Sequence, residues 1–418
     1  MNNRNPNISL SYEQERSIYM CKTNTLVRPI NTFIFIAVIL LFSNVIFAQT
    51  DSIPKERSWT LNGYVKYMQT IAFQKIDKDW TTDNLLHNRL NFNWNINSNL
   101  TFNSQLRNRI FYGETVTNFP KYSEIINHES GFLNMSGILF EGNSVFMHST
   151  IDRLYFDYNY KKIQVTIGRQ RINWGQTFAW NPNDLFNSSS FFDFDYEEKP
   201  GTDAVRLQFY PSYSSQFDLV VKLDCNQKIT AAGLFRFNKW NYDIQLLGGY
   251  YEERDFVVGG GFSGSLLKGG LRGELSYFHS EVNFADTTGK LVASLGYDYT
   301  FSNSLMIQIE GLYNGYGKKS GDFNLAQFYF MQMSPQNLSL TEFSYMANLS
   351  YPLTPLLNLK LSAMYNPNDN SIYFGPSADY SLKDNLDLSI YTQLFMSDTP
   401  ADQGGQGGFL YWRLKWSF

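Results

Sequence analysis

Apolar and polar side chains alternate along most of the chain. From Leu90 to Ile96, aromatic and aliphatic residues alternate with asparagines, and the alternation resumes at Leu100 after the Asn97-Ser98 connection. A period of two residues indicates a β-strand with one apolar face, and a two-residue connection indicates a hairpin. Over the whole sequence this pattern predicts eighteen strands. They lie near residues 59–73, 86–96, 100–112, 151–160, 163–172, 203–210, 216–224, 229–238, 242–252, 256–266, 269–280, 290–301, 305–314, 341–351, 356–365, 370–381, 386–397 and 408–418.

The predicted connections differ systematically in length. Those after even-numbered strands are all short, and the long ones follow odd-numbered strands only. The long connections are 113–150, 173–202, 315–340 and 398–407. Short turns on one rim and long loops on the other are typical of membrane barrels, with the turns periplasmic and the loops extracellular. The pattern therefore predicts an all-β fold, a transmembrane antiparallel up-and-down β-barrel of about 18 strands, with 16 strands as the alternative.

Composition points to a surface that faces lipid. Charged residues make up 17% of the chain, below the roughly 25% of ordinary soluble domains. Aromatic residues also reach 17%, which argues against disorder. A single apolar run approaches the length of a membrane-spanning helix, so a helical membrane protein is excluded. The net charge of −4 offers no basic surface for nucleic acid.

The first 48 residues have the features of a secretory leader. Phe33–Phe42 is an unbroken apolar run, basic residues precede it, and Ala48 stands at the exit. These are the parts of a cleaved signal peptide, and the run is shorter than the ~20 residues that a membrane-spanning helix needs. We therefore predict a leader and signal peptide over 1–48 and a barrel over 49–418. Met20 is an alternative translation start.

The last predicted strand ends on an aromatic residue. From Leu410 onward apolar residues alternate with polar ones such as Arg413 and Lys415, and Phe418 has the apolar parity. This ending resembles the terminal-strand signal by which the outer-membrane assembly machinery recognises its barrels. The resemblance implies that machinery and outer-membrane lipid as partners.

If the aromatic face of each strand meets lipid, the opposite face lines the lumen. The basic candidates for the lumen are Lys66, Arg89, Arg107, Arg109, Arg153, Arg169, Arg171, Arg206 and Arg413. The acidic candidates, mostly on the far side, are Asp218, Asp243, Glu274, Asp298, Glu310 and Glu342. Opposed walls of unlike charge would create a field that orders water and orients polar solutes. The alternative is that these charges pair and stitch the wall, or fill a closed lumen.

The fifth predicted strand does not follow this parity. Its apolar residues Ile163 and Ile167 would face lipid, which carries Arg169 and Arg171 to the same side. A bulge at Gly168 would turn one or both arginines inward. Otherwise they lie at the level of the lipid headgroups.

The connection 173–202 is too aromatic for a free surface loop, with two tryptophans and five phenylalanines. By analogy with general porins, it would fold into the channel and face the arginine wall with its acidic residues. We expect those residues to be Asp193, Asp195, Glu197 and Glu198. The alternative is a lid over the mouth of the barrel.

We expect no catalytic, cofactor or metal site. His279 is adjacent to Ser280, but neighbouring residues on a strand point to opposite faces. Residues 261–265 lack the second glycine of a nucleophile elbow. The sequence contains neither a phosphate-binding loop nor an HExxH motif. The protein is therefore not expected to be an enzyme.

The stretch from Gly168 to Gly175, GRQRINWG, combines a Gly-Arg-Gln strand with a Trp-Gly loop. With the predicted barrel, it resembles the alginate-export and porin-like outer-membrane families, and the leader exit and composition are similar to those of Bacteroidetes proteins. The resemblance implies a cell outer membrane location and an arginine-lined conduit. The conduit residues would be Arg107, Arg109, Arg153, Arg169, Arg171 and Arg206. The many acidic residues depart from a conduit for polyanions.

These observations predict a porin-like outer-membrane channel for passive diffusion of small polar or charged solutes. The alternatives are an export conduit for anionic polysaccharide and a structural barrel of a surface complex. A monomer and a homo-oligomer are both compatible with the sequence.

Overall fold

The computed structural model describes residues 58–75, 78–119, 121–192, 198–282, 284–329, 331–400 and 403–418. The predicted leader over 1–48 and the start of the predicted barrel domain at residue 49 lie outside these residues.

Nineteen strands among the described residues form one antiparallel sheet. They are β1 Trp59–Lys75, β2 Lys78–Asn95, β3 Leu100–Gly113, β4 Ser136–Glu141, β5 Val145–Tyr160, β6 Ile163–Gln170, β7 Thr202–Ser212, β8 Ser215–Leu223, β9 Ile229–Lys239, β10 Tyr242–Tyr251, β11 Asp255–Leu266, β12 Gly269–Ser280, β13 Lys290–Thr300, β14 Met306–Asn314, β15 Phe343–Thr354, β16 Leu357–Asn366, β17 Ser371–Lys383, β18 Leu386–Met396 and β19 Gly407–Ser417. The described helices are α1 Glu114–Asn118, α2 Tyr122–Ile126 and α3 Leu325–Tyr329.

The sheet closes on itself between its first and last strands. β1 pairs with β2 on one side and with β19 on the other, where Val65 lies opposite Trp416. At this seam the backbones of Gly63 and Phe418 exchange two hydrogen bonds, of 3.0 and 2.9 Å. The ring contains every strand except β4, so the predicted 18-stranded barrel is confirmed and the alternative of 16 strands is wrong.

β4 is a short strand that the alternation pattern does not predict. It pairs with the N-terminal half of β5, with Ser136 opposite Thr150, whereas the C-terminal half of β5 pairs with β6. β6 ends at Gln170, so beyond that point β5 needs another partner on the same side. β4 supplies it, which satisfies backbone groups that would otherwise be an open sheet edge.

Each barrel strand has an apolar outer face and a more polar inner face. Leu295 and Ile309 on the outer face are 57% and 51% exposed, whereas their neighbours Ser294 and Glu310 are each 4% exposed. A continuous exposed apolar surface of this kind is suited to contact with lipid.

The two rims differ as the sequence predicts. The connections that carry α1, α2 and β4, that join β6 to β7, and that carry α3 are all on one rim, and the opposite rim has short turns. In the part of the chain that the structure describes, no helix has the length and apolar character needed to cross a bilayer.

Candidate functional site: a loop that crosses the barrel

The connection between β6 and β7 comprises residues 171–201, and we call it the lumen loop. Its described residues, 171–192 and 198–201, lie inside the barrel. Its first half contacts inner-face side chains of β8, β10, β12 and β14. Its second half contacts β18, β1 and β2. Seven strands, β7 to β13, separate β6 from β14 in the ring of eighteen, so the loop spans most of the width of the lumen. This is the position expected for a loop that folds into the channel, and not for a lid over the mouth of the barrel.

The chain enters the lumen loop just after Gly168. This residue has a φ of 119°, and a Cβ added there would lie 2.2 Å from the backbone oxygen of Leu154. Glycine alone combines this backbone conformation with this space. Tyr155 and Ala204 pair with Gly168 in regular register on both sides, so the bulge expected there is wrong. Gly168 instead has a positive φ within a regularly paired strand.

Two glutamates of the inner wall hold the first half of the lumen loop by its backbone. Glu274 on β12 accepts three backbone N–H groups, and Glu310 on β14 accepts three more. The donors to Glu274 are Gln176, Thr177 at 2.8 Å and Asn183 at 3.1 Å. The donors to Glu310 are Phe178, Ala179 and Trp180, at 2.8, 3.2 and 2.9 Å. These hydrogen bonds offset part of the cost of burying each carboxylate. These two sequence-predicted wall acids therefore bind the loop.

Trp174 fixes the start of the lumen loop to β8, two strands along the wall from β6. Its indole Nε1 donates to Asp218 of β8 at 2.9 Å. Asp218 also pairs with Arg206 of β7, with 2.5 Å between Nη2 and Oδ2. The side-chain amide of Gln245 donates to the backbone oxygen of Trp174 at 2.8 Å. Asp218 and Arg206, both predicted to line the lumen, thus form a pair across adjacent strands that also anchors the loop.

The returning half of the lumen loop contacts the basic side of the barrel through the Glu198 side chain and through backbone oxygens. The Tyr64 hydroxyl donates to Glu198 at 3.2 Å, and Arg89 Nε lies 3.6 Å from the same carboxylate. Arg153 Nη2 donates to the backbone oxygens of Glu198 and Lys199 at 3.0 and 2.7 Å. Glu198 is therefore the described acid of the predicted constriction set that faces the arginines.

A buried carboxylate joins two arginines of neighbouring strands. Asp152 forms salt bridges with Arg89 and with Arg107, whose Nε lies 3.0 Å from Oδ2. The register between β3 and β5 shifts here, because Gln105 lies opposite Arg153 and the next residue of β3 lies opposite the residue before Asp152. This bulge brings both Asp152 and Arg153 to the inner face. Pairing compensates charges that would be costly alone at this depth.

Basic side chains follow one another around one side of the lumen. Cross-strand pairing aligns Lys415, Lys66, His87, Arg109 and His148 on five consecutive strands of the ring. Arg109 Nη2 lies 3.0 Å from His148 Nδ1. Lys415 and Lys66 lie 4.8 and 5.4 Å from the centre of the Tyr64 ring. These five side chains thus form a contiguous row from β19 to β5, and two of them, Lys66 and Arg109, belong to the predicted basic set.

The two arginines of the GRQR stretch have different environments. Arg169 lies within the wall, with two hydrogen bonds to Asp203 of 2.7 and 2.9 Å and one to Glu129 of 2.9 Å. Its side chain is 4% exposed, so it lies neither in open lumen nor among headgroups. Arg171 is in the lumen loop, 3.6 Å from Asp184. Burial raises the pKa of Asp184 to about 6, against the opposing effect of Arg171.

The other predicted acids have partners close to them in the wall. Asp298 pairs with Arg272 at 2.6 Å. Asp243 is exposed and accepts a hydrogen bond from Asn238 at 2.8 Å. Glu342 lies just before β15 at the long-loop rim. Together with the three acids that hold the loop, this arrangement corresponds to the alternative in which the charges stitch the wall.

The remaining predicted residues are Arg413 and three acids of the lumen loop. Arg413 Nη2 donates to the Tyr391 hydroxyl at 2.7 Å. Asp193, Asp195 and Glu197 lie outside the described residues.

An aromatic cluster connects the lumen loop to the long-loop rim. Phe192 packs edge-on against Phe328 of α3 and Tyr373 of β17, with ring centres 4.7 and 4.8 Å apart. The hydroxyls of Tyr329 and Tyr411 lie 3.1 Å apart. The connection that carries α3 therefore rests on the lumen loop.

Two features of the site are missing from the sequence-based set. Asp152 is one of them, and its signal is the Asp152-Arg153 pair, which places consecutive charges on a strand and so breaks the alternation. The other is the row of backbone N–H groups between Gln176 and Asn183, which no side-chain pattern encodes.

Comparison with known proteins shows the fold. No family model and no curated protein matches the chain. Among solved structures, the outer membrane protein OprD from Pseudomonas aeruginosa has a TM-score of 0.54 at 11% identity, covering 86% of this chain and 94% of that one. Pseudomonas aeruginosa OccK10 (OpdN) also has a TM-score of 0.54 at 11% identity, covering 87% and 99%. Acinetobacter baumannii OccAB3 has a TM-score of 0.53 at 9% identity, covering 86% and 99%. These similarities confirm the barrel architecture, and the alginate-export resemblance and the Bacteroidetes type stay predictions.

Proposed function

We propose that the protein is a porin-like channel of the outer membrane for passive diffusion of small polar or charged solutes. The observation that carries the proposal is the lumen loop, which crosses the inside of a closed barrel and is fixed to opposite walls. A loop held in this way narrows the passage without adding a separate domain. The solved barrels with the same fold include a protein named outer membrane protein OprD, which supports the location.

The distribution of charge supports polar cargo. In this proposal the basic side of the passage is lined by Lys66, Arg89, Arg107, Arg109, Arg153, Arg171, Arg206 and Arg413. The acidic side is lined by Asp218, Asp243, Glu274, Asp298, Glu310 and Glu342, and the constriction includes Glu198 and the preceding acids Asp193, Asp195 and Glu197. Even where these groups pair, side chains of unlike charge on facing walls leave a field across the narrow region.

The apolar outer face supports insertion in lipid with the short turns in the periplasm. In this proposal the assembly machinery recognises the strand that ends at Phe418. Residues 1–48 are the leader and signal peptide that direct export. Whether one barrel or several assemble in the membrane does not affect the path through each lumen. In this proposal solutes diffuse through the lumen, without catalysis and without a bound cofactor.

Conductance of the purified mature protein in planar bilayers tests the proposal. We expect stepwise open-channel currents with ion selectivity. A correctly folded barrel that remains electrically silent would overturn the channel function.

Charge reversal tests the role of the basic wall. Arg109→Glu is expected to shift ion selectivity toward cations, because Arg109 lies in the row of basic side chains inside the barrel. Lys383→Glu, at an exposed turn on the short rim, is the matched control with the same change of charge. Equal shifts in the two variants would remove Arg109 from the constriction.

A further inference from the structure

Six backbone N–H groups attach the part of the lumen loop between Gln176 and Asn183 to the wall. Six N–H groups of this segment point to two carboxylates, and three of the six come from the consecutive residues 178–180. Successive backbone N–H groups that converge in this way form a concave site for an anion. The segment therefore contains two anion sites, and side chains of the barrel occupy both.

The two carboxylates belong to the wall and lie at a defined separation around the ring. Glu274 is on β12 and Glu310 is on β14, with one strand between them. That strand contributes Ser294, whose hydroxyl donates to Glu310 at 2.9 Å. Glu274 and Glu310 are 3% and 4% exposed, so water does not compete freely for their oxygens. Two rigid strands thus present two acceptors at fixed positions.

The loop itself is shaped to receive them. The Thr177 hydroxyl donates to the backbone oxygen of Trp180 at 2.5 Å, which closes the turn around the Glu310 site. The side chain of Asn183 donates to the backbone of Gly260 at 2.9 Å and accepts from Ser276 at 2.8 Å. A Cβ at Gly261 would lie 3.1 Å from the Asn183 amide, so the close approach of loop and wall depends on glycine there.

We propose that Glu274 and Glu310 are positioning residues that clamp the lumen loop and thereby set the width of the passage. This inference rests on the proposed channel function. It assigns the two acids a mechanical role in addition to their contribution to the field across the lumen. Loss of either carboxylate releases part of the loop toward the centre of the lumen or toward the long-loop rim, and the passage changes in width and steadiness.

Hydrogen exchange of the loop amides tests the clamp without any conductance measurement. The variants are Glu274→Gln and Glu310→Gln, which keep the side-chain size and remove the charge and one acceptor oxygen. Loss of a charge-assisted hydrogen bond is expected to speed exchange of the peptide covering residues 174–187 about tenfold or more. The matched control is Asp379→Asn, because Asp379 is a lumen acid whose partners Lys360 and Tyr391 lie on neighbouring strands. Unchanged exchange in both glutamine variants, or equal acceleration in the control, would overturn the clamp.

Single-channel recording of the same three variants provides the second measurement. We expect a changed conductance and greater open-channel noise in the two glutamine variants, with wild-type behaviour in Asp379→Asn. A pure field effect would instead shift ion selectivity with constant conductance and quiet openings, and would overturn the positioning role. If the wild-type barrel is silent while exchange accelerates only in the glutamine variants, the channel function fails and the clamp stands. If the barrel conducts and exchange is unaffected, the clamp fails and the channel function stands.

Discussion

The lumen loop is held in opposite chemical ways by the two halves of the barrel. On the half formed by β8 to β14, wall carboxylates accept hydrogen bonds from the loop backbone. On the half formed by β1 to β5, wall arginines bind the Glu198 carboxylate and the backbone oxygens of Glu198 and Lys199. In both halves the loop is held by charge-assisted contacts, but the sign of the wall charge is reversed. The first kind of contact depends little on which side chains the loop carries, whereas the second depends in part on the acidic side chain of Glu198.

The buried charges of the basic half are also compensated differently from those of the acidic half. Arg89 and Arg107 share Asp152, which is itself part of the wall, whereas Glu274 and Glu310 of the other half are satisfied mainly by the loop. Removal of the loop would therefore take three backbone donors from each of Glu274 and Glu310 but would leave Arg89 and Arg107 with Asp152. This difference predicts which substitutions and conditions most reduce the stability of the barrel or of the docked loop.

The largest effect is expected from Asp152→Ala. The substitution leaves Arg89 and Arg107 without the carboxylate they share, and breaking a buried ion pair by removing one partner costs about 3–5 kcal/mol of unfolding free energy. Denaturant unfolding of the barrel in lipid vesicles measures it. Asp157→Ala on the same strand is the control, because its partners Gln164 and Thr166 are uncharged. Equal losses in the two variants would mean that Asp152 does not compensate the arginines.

The next largest effect is a pH dependence in the stability of the first half of the lumen loop. Burial raises the pKa of Asp184 from 3.8 to about 6, although Arg171 and Lys222 oppose the shift. The Asp184 carboxyl therefore binds its proton more tightly in the docked loop than in the released loop. Docking of the loop is most stable below pH 3.8, and this stability is lost as pH rises through about 6. The loss amounts to about 3 kcal/mol. Protection factors of loop amides, corrected for intrinsic exchange, should fall between pH 4 and 7.

The control for this pH dependence is Asp184→Asn, which cannot titrate. Its loop protection should fall less than that of the wild type over the same range, because Glu274, the other buried carboxylate beside this part of the loop, is still present in it. A wild-type profile that is as level as that of the variant would contradict the assignment to Asp184.

The barrel was predictable from sequence because its physical cause is local and repeated. Alternation such as that from Leu90 to Ile96 follows from a wall with lipid on one side and a polar interior on the other, so strand bounds agree closely for most elements. β4 departs from this rule. It forms because β6 leaves the wall at Gln170, a tertiary event that a window of sequence around Ser136 does not contain.

The site was predictable only in part, for a related reason. Parity identified Glu274 and Glu310 as inner-face acids, but their role depends on where the loop backbone lies, and backbone N–H groups are present at almost every residue. Parity also assigned Arg153 to the lumen and overlooked Asp152, because a bulge adds a second inward residue. The unlike charges that suggested an open field are the same charges that hold the loop and the wall together.

A smaller effect is expected from Glu198→Gln on the returning half. The substitution removes the charge 3.6 Å from Arg89, but Arg89 keeps Asp152, and the Glu198 side chain is 26% exposed. We expect a loss of about 0.2–1 kcal/mol in docking of the returning half, as for partly solvated ion pairs. Exchange of amides around Lys199 should accelerate while those of residues 176–183 stay protected. Acceleration in both regions would mean that the two halves of the loop dock as one unit.

The smallest effect is expected from Gln176→Ala in the first half of the lumen loop. The side chain of Gln176 is removed, but its backbone N–H still donates to Glu274. Docking should change by no more than about 0.5 kcal/mol, as for substitutions that remove no specific interaction. Hydrogen exchange of residues 174–187 provides the measurement, with Glu274→Gln as the positive control. Acceleration in Gln176→Ala comparable to that in Glu274→Gln would show that side chains, and not the backbone, attach this half of the loop, and the contrast between the two halves would disappear.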